Sequence, residues 1–477
     1  RRFYVSQIGE AINLIRLSLL FAGIILLLLP AHAQDKKGVD FLDDQKALDE
    51  FFRLSLTESS VYPWLGDMCL NIGSRLSGSK QAEEAVEYSY QLMTELGVNP
   101  QKQPVMVPHW VRGEKEIAFI KASDGTKLEV NVLALGGSIA TPVDGMMAPI
   151  IEVETWEDLE ALGEENIKGK IVFFNEEMNP ENIYTFHSYG HCVQHRWAGA
   201  VQASKYGAVG AIVRSLNLRI DEFPHTGSMT YEDALDTIPA AAISTRDAEI
   251  VSELLASRNS VELYWKQACL TFPDVQSHNV IGEIKGSKYP DEIILLGGHL
   301  DSWDVGHGAH DDGAGVMQSL AVLELLKKSG YTPKRTIRVV FFMNEENGLR
   351  GAKEYAKQSE AQGINHVACI ESDRGGFTPR GFHVEGNEKL VQKILSFKPA
   401  LEKYGVSQLK EGGSGADIGP LKTDDNVLIG FVPDSQRYFD YHHSPTDTFD
   451  AVNKRELELG TASITALVYL MDKYGLK

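Results

Sequence analysis

The stretch "IILLGGHLDSWDVGHGAHDDGAG", residues 293–315, begins as a continuous apolar run and then sets three histidines and four aspartates among glycines. A short apolar run without polar alternation is the pattern of a strand buried on both faces, as in a parallel sheet covered by helices. Side chains that follow such a strand directly stand at its carboxyl end, where open α/β sheets gather their ligands.

Working outward, "TIRVVFFMN" (336–344), "VACIES" (367–372) and "NVLIGFV" (426–432) repeat the apolar pattern. Helical segments separate them, including "GVMQSLAVLELLKKSG", which ends at Gly330, and another from about Gly351. The sequence thus predicts an α/β fold with a mixed, mostly parallel sheet covered by helices. Upstream, "KQAEEAVEYSYQLMTEL" (80–96) has helical spacing and stops at Gly97, a C-terminal cap. Residues 103–135 shift to a β pattern. Residues 136–268 form a separate α/β unit, with a strand at 169–175, a helix over 193–207 and a later helix capped by Thr245.

With 477 residues, 43% of them hydrophobic, the chain can bury a large core in two domains. Its net charge of −20 argues against nucleic acid or an anionic membrane as partner. Arg1, Arg2 and Arg16 precede the apolar run Leu17 to Leu29, and "AHA" follows Pro30. That order reads as a secretory signal over 1–33, cleaved after Ala33, with secretion or export to the periplasm. The run is short of the roughly 20 residues a membrane span needs, so no stable anchor is expected once the signal is removed. Cys69, Cys192, Cys269 and Cys369 are far apart and form no C-x-x-C pair. Buried free thiols, with at most one disulfide, are expected.

His299 and Asp301 follow the first strand, Glu345 and Glu346 the second, and Asp373 the third. A fourth cluster, "YHHSPTDTFD" (441–450), adds His442 and His443. In a parallel sheet these ends share one edge, so carboxylates from three segments converge on one crevice. Bare carboxylates that close repel one another and take up protons, and a dication removes that penalty. Imidazole plus carboxylate without thiolate suits zinc in a hydrolytic site, with manganese or cobalt possible. These residues by themselves do not decide between one metal and two.

The motifs "GGHLDSWDVGHGAHDDGAG", "NEENGLRGA", "ESDRGG" and "HHSPTDT", in this order, resemble the M28 family of zinc exopeptidases, and within it the carboxypeptidase Q group. The likeness runs from about residue 45 to the end and takes in "GSRLSGS", "VPHW", "PHTG" and "GSKYP". The resemblance implies a zinc-exopeptidase, phosphorylase/hydrolase-like fold. It divides the chain into a signal peptide (1–33), an N-terminal part of the peptidase domain (34–135), an inserted protease-associated-like domain (136–268) and the catalytic remainder (269–477). It implies two Zn2+ per chain, one on His299, Asp311 and Asp373, the other on Asp311, Glu346 and His443, with Asp311 bridging. Glu345 would be the general base for the attacking water, and Asp301 would orient His299. A cis peptide bond between Asp311 and Asp312, a homodimer and a peptide substrate are implied too.

Asp304, His307, His310 and Asp312 then have no ligand role, and loop hydrogen bonds are expected of them. His442 is set aside in favour of His443, whose spacing to Asp447 fits the pattern. His187, His191 and His195, at helical spacing, form a stripe that no acid joins and that Gly190 interrupts. "GGSGADIGPL" (412–421) is either a plain turn or a wall of the substrate cleft. The expected function is a secreted two-zinc exopeptidase cutting dipeptides or short peptides. A broader aminopeptidase is the runner-up. Behind it stand a cyclase-like acyltransferase, which uses one zinc, and a non-catalytic binding protein, which would have lost ligands.

Overall fold

The computed structural model describes residue 41 and residues 44–476, apart from 233, 235, 258 and 259; the expected signal segment lies outside the described residues. Two eight-stranded sheets organise Gln45–Lys477, which forms one unit. The first sheet is built from β1 (Gln101–Val111), β2 (Leu270–Ile284), β3 (Tyr289–His299), β4 (Arg335–Phe342), β5 (Asn365–Glu371), β6 (Pro379–Gly386), β7 (Gln408–Glu411) and β8 (Val427–Pro433). Their order is β1-β2-β4-β3-β5-β8-β6-β7. The central neighbours β4, β3, β5 and β8 run parallel, while β1, β2 and β6 join antiparallel. The mixed, mostly parallel sheet read from the apolar runs is therefore present.

Helices cover both faces because the central strands are apolar on both. Ile293 and Leu295 pack with Ala352 and Tyr355 on one side. On the other lies α3 (Ala314–Lys328), buried from Ala314 to Leu326 and packed against α4 (Lys454–Tyr474). Gly298 lets α3 come close, since a Cβ there would lie 3.2 Å from the Val316 nitrogen and closer still to the Asp312 carboxylate. Helix α1 (Lys80–Leu96) ends at Gly97 as the sequence predicts, with Gly97 in the left-handed region.

The second sheet joins Lys127–Glu129, Ile117–Ala122, Val261–Lys266, Met146–Val153, Ile171–Phe174, Gly210–Arg214, Ala240–Ile243 and Val132–Ala134, in that spatial order. Its strands thus begin at Ile117, ahead of the boundary expected at residue 136. The reason is register: Ile117–Ala122 pairs along its whole length with Val261–Lys266, strand to strand, while β1 belongs to the other sheet. Helix α2 (Thr185–Ser204) starts well before the expected 193 and runs through Gly190. The helix Thr245–Ser257 is capped by the residue before the one expected, because the Ser244 hydroxyl accepts from the Asp247 N–H at 3.0 Å. All four cysteines are buried and free. Among the described residues no helix is long and apolar enough to cross a membrane.

Candidate metal centre

Strand ends deliver the site as the topology requires. His299 closes β3, Glu345 and Glu346 follow β4, and Asp373 lies two residues beyond β5. Asp311 is carried into their midst by the loop before α3, and His443 by the loop before α4.

The two oxygens of Asp311 face different partners. Its Oδ1 lies 3.1 Å from His299 Nε2, which is itself 3.5 Å from Asp373 Oδ1. Its Oδ2 lies 3.2 Å from His443 Nε2, which is 3.1 Å from Glu346 Oε2. Both imidazoles are held so that Nε2 faces the cluster. His299 Nδ1 donates to the main-chain carbonyl of Asp301 at 2.9 Å, and His443 Nδ1 to that of Thr226 at 3.2 Å. A ring whose Nδ1 carries the proton presents a lone pair on Nε2, the form in which imidazole binds metal.

The acids are crowded beyond what protein partners satisfy. Asp311 Oδ2, Glu346 Oε1 and Asp373 Oδ1 are buried without a hydrogen-bond donor among the described residues. Burial, then the charges of Asp373, Glu346 and Asp301, pushes Glu345 well above the usual carboxylate range. Against the burial of its ring, Glu346 and Asp311 raise His443 to about 10. Asp373 and Asp311 likewise hold His299 well above its ordinary value, again against burial. Protons stand in here for positive charge that the side chains alone lack. Dications supply that charge, so the donor set fits hard or borderline metal ions.

Asp301 acts differently from the expectation. Its carboxylate stays 3.9 Å from His299 Nδ1. Instead it accepts from the backbone N–H groups of Asn344, Glu345 and Glu346 at 2.7, 3.0 and 3.3 Å. The residue orients His299 with its main chain and the Glu345–Glu346 loop with its side chain. Asn344 and His443, at φ 74° and 59°, hold the left-handed region that non-glycine residues rarely adopt. Such conformations persist where surroundings over-determine them.

The residues denied a ligand role have the loop functions expected. Asp304 pairs with Arg112 at 2.6 Å. Asp312 accepts from the N–H groups of His299 and Gly315. His307 Nδ1 accepts from Phe449, and His310, stacked on Phe377, accepts from Gly376. The Asp311–Asp312 bond is cis, as the family pattern implies. His442 stacks on His443 and lies 3.8 Å from Asp311 Oδ2, farther than its neighbour.

One sequence reading needs correcting. An acid does join the histidine stripe: Glu176 sits 2.7 Å from His191 Nδ1 and 2.9 Å from His195 Nδ1. It comes from beyond the strand Ile171–Phe174, so helical spacing alone could not show it. His187 turns instead toward Tyr184. The motif "GSRLSGS" braces the loops beside the cluster. Arg75, fully buried, donates to the carbonyls of Leu300, His307 and Gly308 at 2.6, 2.7 and 2.9 Å, and Ser77 bonds Asn344 and Asn347. A lone arginine amid small residues was the available signal. Asp417, from the Gly/Ser-rich segment, is buried with neither carboxylate oxygen hydrogen-bonded, and is absent from the cleft lining.

Beside the cluster opens a cleft of about 750 Å³ whose walls include Glu345, Asp373 and His443 from loops around the first sheet and Tyr189, Arg196, Trp197 and Ser228 from the segment that carries the second. The sequence profile of peptidase family M28 matches residues 279–468. Carboxypeptidase Q of Bos taurus is 35% identical over 87% of this chain and 85% of its own length. The chain belongs to peptidase family M28. Carboxypeptidase Q of Homo sapiens is 33% identical to this M28 peptidase over 90% of the chain and 89% of its own. The crystal structure of a peptidase M28 precursor from Shewanella amazonensis SB2B superposes with a TM-score of 0.85 at 34% identity, over 90% of this chain and 97% of that one. A zinc aminopeptidase from Bacillus subtilis, at 21% identity and a TM-score of 0.61, covers 87% of the chain and shares the fold. The M28 peptidase described here is a metallo-exopeptidase.

Proposed function

We propose that this peptidase is a secreted two-zinc enzyme that hydrolyses dipeptides and short peptides. The observation that carries the reading is the division of the Asp311 carboxylate, each oxygen aimed at a separate histidine–carboxylate pair. His299, Asp311 and Asp373 would hold one zinc, and Asp311, Glu346 and His443 the other. Metal held there would supply Lewis acidity for the scissile carbonyl and for an attacking water near neutral pH.

The chain's own groups do the rest. Glu345, at the cleft wall and anchored by its N–H to Asp301, takes a proton from the attacking water and returns it to the leaving amine. Asp301 holds Glu345 and Glu346 at fixed angles, so one addresses water and the other metal. The inserted unit, read as a protease-associated-like domain, closes one side of the cleft and limits it to short peptides. The 33–35% identity to carboxypeptidase Q chains over most of their length supports this reading. A homodimer of signal-cleaved chains is the form proposed.

The test is hydrolysis of free dipeptides, N-blocked dipeptides and aminoacyl anilides by protein whose metal content has been measured. Two zinc-type ions per chain and a preference for free dipeptides are expected. One ion with full activity would overturn the bridged site, and a preference for anilides would make the protein an aminopeptidase.

A further inference from the structure

Glu176, His191, Cys192 and His195 gather around the middle of α2, as a group separate from the Asp311 cluster. Ligand atoms of Glu176, His191 and Cys192 all lie within 4.8 Å of one another. Glu176 Oε1 is 2.7 Å from His191 Nδ1, and Oε2 is 2.9 Å from His195 Nδ1. The second contact is no hydrogen bond: Glu176 Oε2 and both His195 nitrogens are buried without an aligned partner. The His195 ring, 3% exposed, is fixed in that place by Phe174 stacked on it and Trp156 edge-on at 4.4 Å.

Buried polar atoms without partners are costly, and such a pair is relieved by an ion that both can face. A carboxylate oxygen and an imidazole nitrogen, each ~2.0–2.2 Å from one zinc, stand about 3 Å apart when the angle between the bonds is near a right angle. Burial keeps His195 neutral, lowered to about 4, so its lone pair is available. Burial also pushes the Cys192 thiol up to about 12, which a dication reverses by binding the thiolate. Glu154 adds negative charge beside Glu176, and the nearby cation, Arg214, is already paired with Glu249. Thiolate, imidazole and carboxylate together select a borderline ion such as zinc or cobalt(II) over magnesium or calcium. His191, 73% exposed, is the side from which it enters.

We propose that Glu176, His191 and Cys192, with His195 as the fourth donor, bind a borderline divalent cation at a site additional to the centre at Asp311. The ion ties the middle of α2 to the chain just beyond the strand Ile171–Phe174. The same helix presents Tyr189, Arg196 and Trp197 to the cleft, so the ion braces one of its walls.

In the experiment, the full chain is stripped of exchangeable metal by a chelator and titrated with cobalt(II) under a phosphine reductant. The readout is thiolate-to-cobalt charge transfer in the near ultraviolet. Among the described residues no other group of candidate ligands contains a cysteine, so the band reports this site and not the centre at Asp311. Wild type should develop the band with half-saturation below ~1 mM. Cys192→Ser should abolish it, and His191→Ala should raise the half-saturation by ~10-fold or more. Because His191 is exposed, its variant keeps the fold and decides the matter even if Cys192→Ser folds poorly. Absence of the band in wild type overturns the site. So does a band that survives Cys192→Ser, or one that His191→Ala leaves unshifted, which marks a thiol acting alone. None of these results bears on the metal count at Asp311, which zinc analysis and dipeptide hydrolysis follow separately.

Discussion

Asp301 and His299 meet through the main chain: the imidazole Nδ1 is 2.9 Å from the Asp301 carbonyl oxygen, and the nearest Asp301 carboxylate oxygen is 3.9 Å away. The carboxylate is spent on the N–H groups of residues 344–346.

Asp301→Asn should therefore disturb the glutamates and spare the histidine. An amide puts an NH2 donor against backbone donors, losing at least one charge-assisted bond and costing ~1–3 kcal/mol of stability. We expect kcat to fall ~10–100-fold. The His299 Nδ1 proton should remain visible in 15N-edited NMR of histidine-labelled protein. Its loss would show that the side chain, after all, governs the ring.

Glu345→Gln should remove turnover by a factor of ~10²–10⁴ while zinc content and KM change little, because the loss is one of proton transfer. Parallel metal analysis and steady-state kinetics check this. A variant that sheds zinc would place Glu345 among the ligands.

Asp311→Asn should weaken both ions together, while Asp373→Asn should weaken one. Titration with a chelator, followed by atomic emission and by thermal unfolding, separates the cases. Removing metal from the wild type should lower its melting temperature, since the clustered carboxylates then repel at neutral pH. Zinc should restore it.

Acid should destabilise the fold through neutral buried histidines remote from the metals. Burial, with the Arg338 charge, lowers His366 to about 4, and its Nε2 lies 3.0 Å from the Tyr355 hydroxyl. Because the folded value is depressed, the contribution is full above pH 6.5 and is lost as pH falls toward 4. The size is on the order of 1–3 kcal/mol. His366→Gln, which can still accept from Tyr355, should flatten the slope of unfolding free energy between pH 6.5 and 4. An unchanged slope would count against the neutral histidine.

The candidate site was legible because metal ligands in α/β sheets follow apolar strands directly. Ile293–Gly298 and Thr336–Met343 announce His299 and Glu345–Glu346 without reference to tertiary structure. What was hidden depends on pairings between distant segments. That Ile117–Ala122 joins the inserted sheet is fixed by its register with Val261–Lys266, and its own residues alternate as any half-buried strand does. The role of Arg75 depends on where three carbonyls of another loop point. Glu176 reaches His191 and His195 across a turn that helical periodicity does not see.

Thr226 and His443 are joined twice, by the Thr226 N–H to the His443 carbonyl at 2.9 Å and by the imidazole back to the Thr226 carbonyl. One of these bonds fixes the proton on the ring of a candidate metal ligand, yet Thr226 belongs to the inserted unit. The segment that carries the second sheet thus holds a candidate metal ligand as well as walling the cleft. Trimming it away would yield a peptidase scaffold with one histidine free to turn, and any motion that swings the insertion outward must first let go of that histidine. Access to the cleft and the hold on His443 would then rise and fall as a single variable.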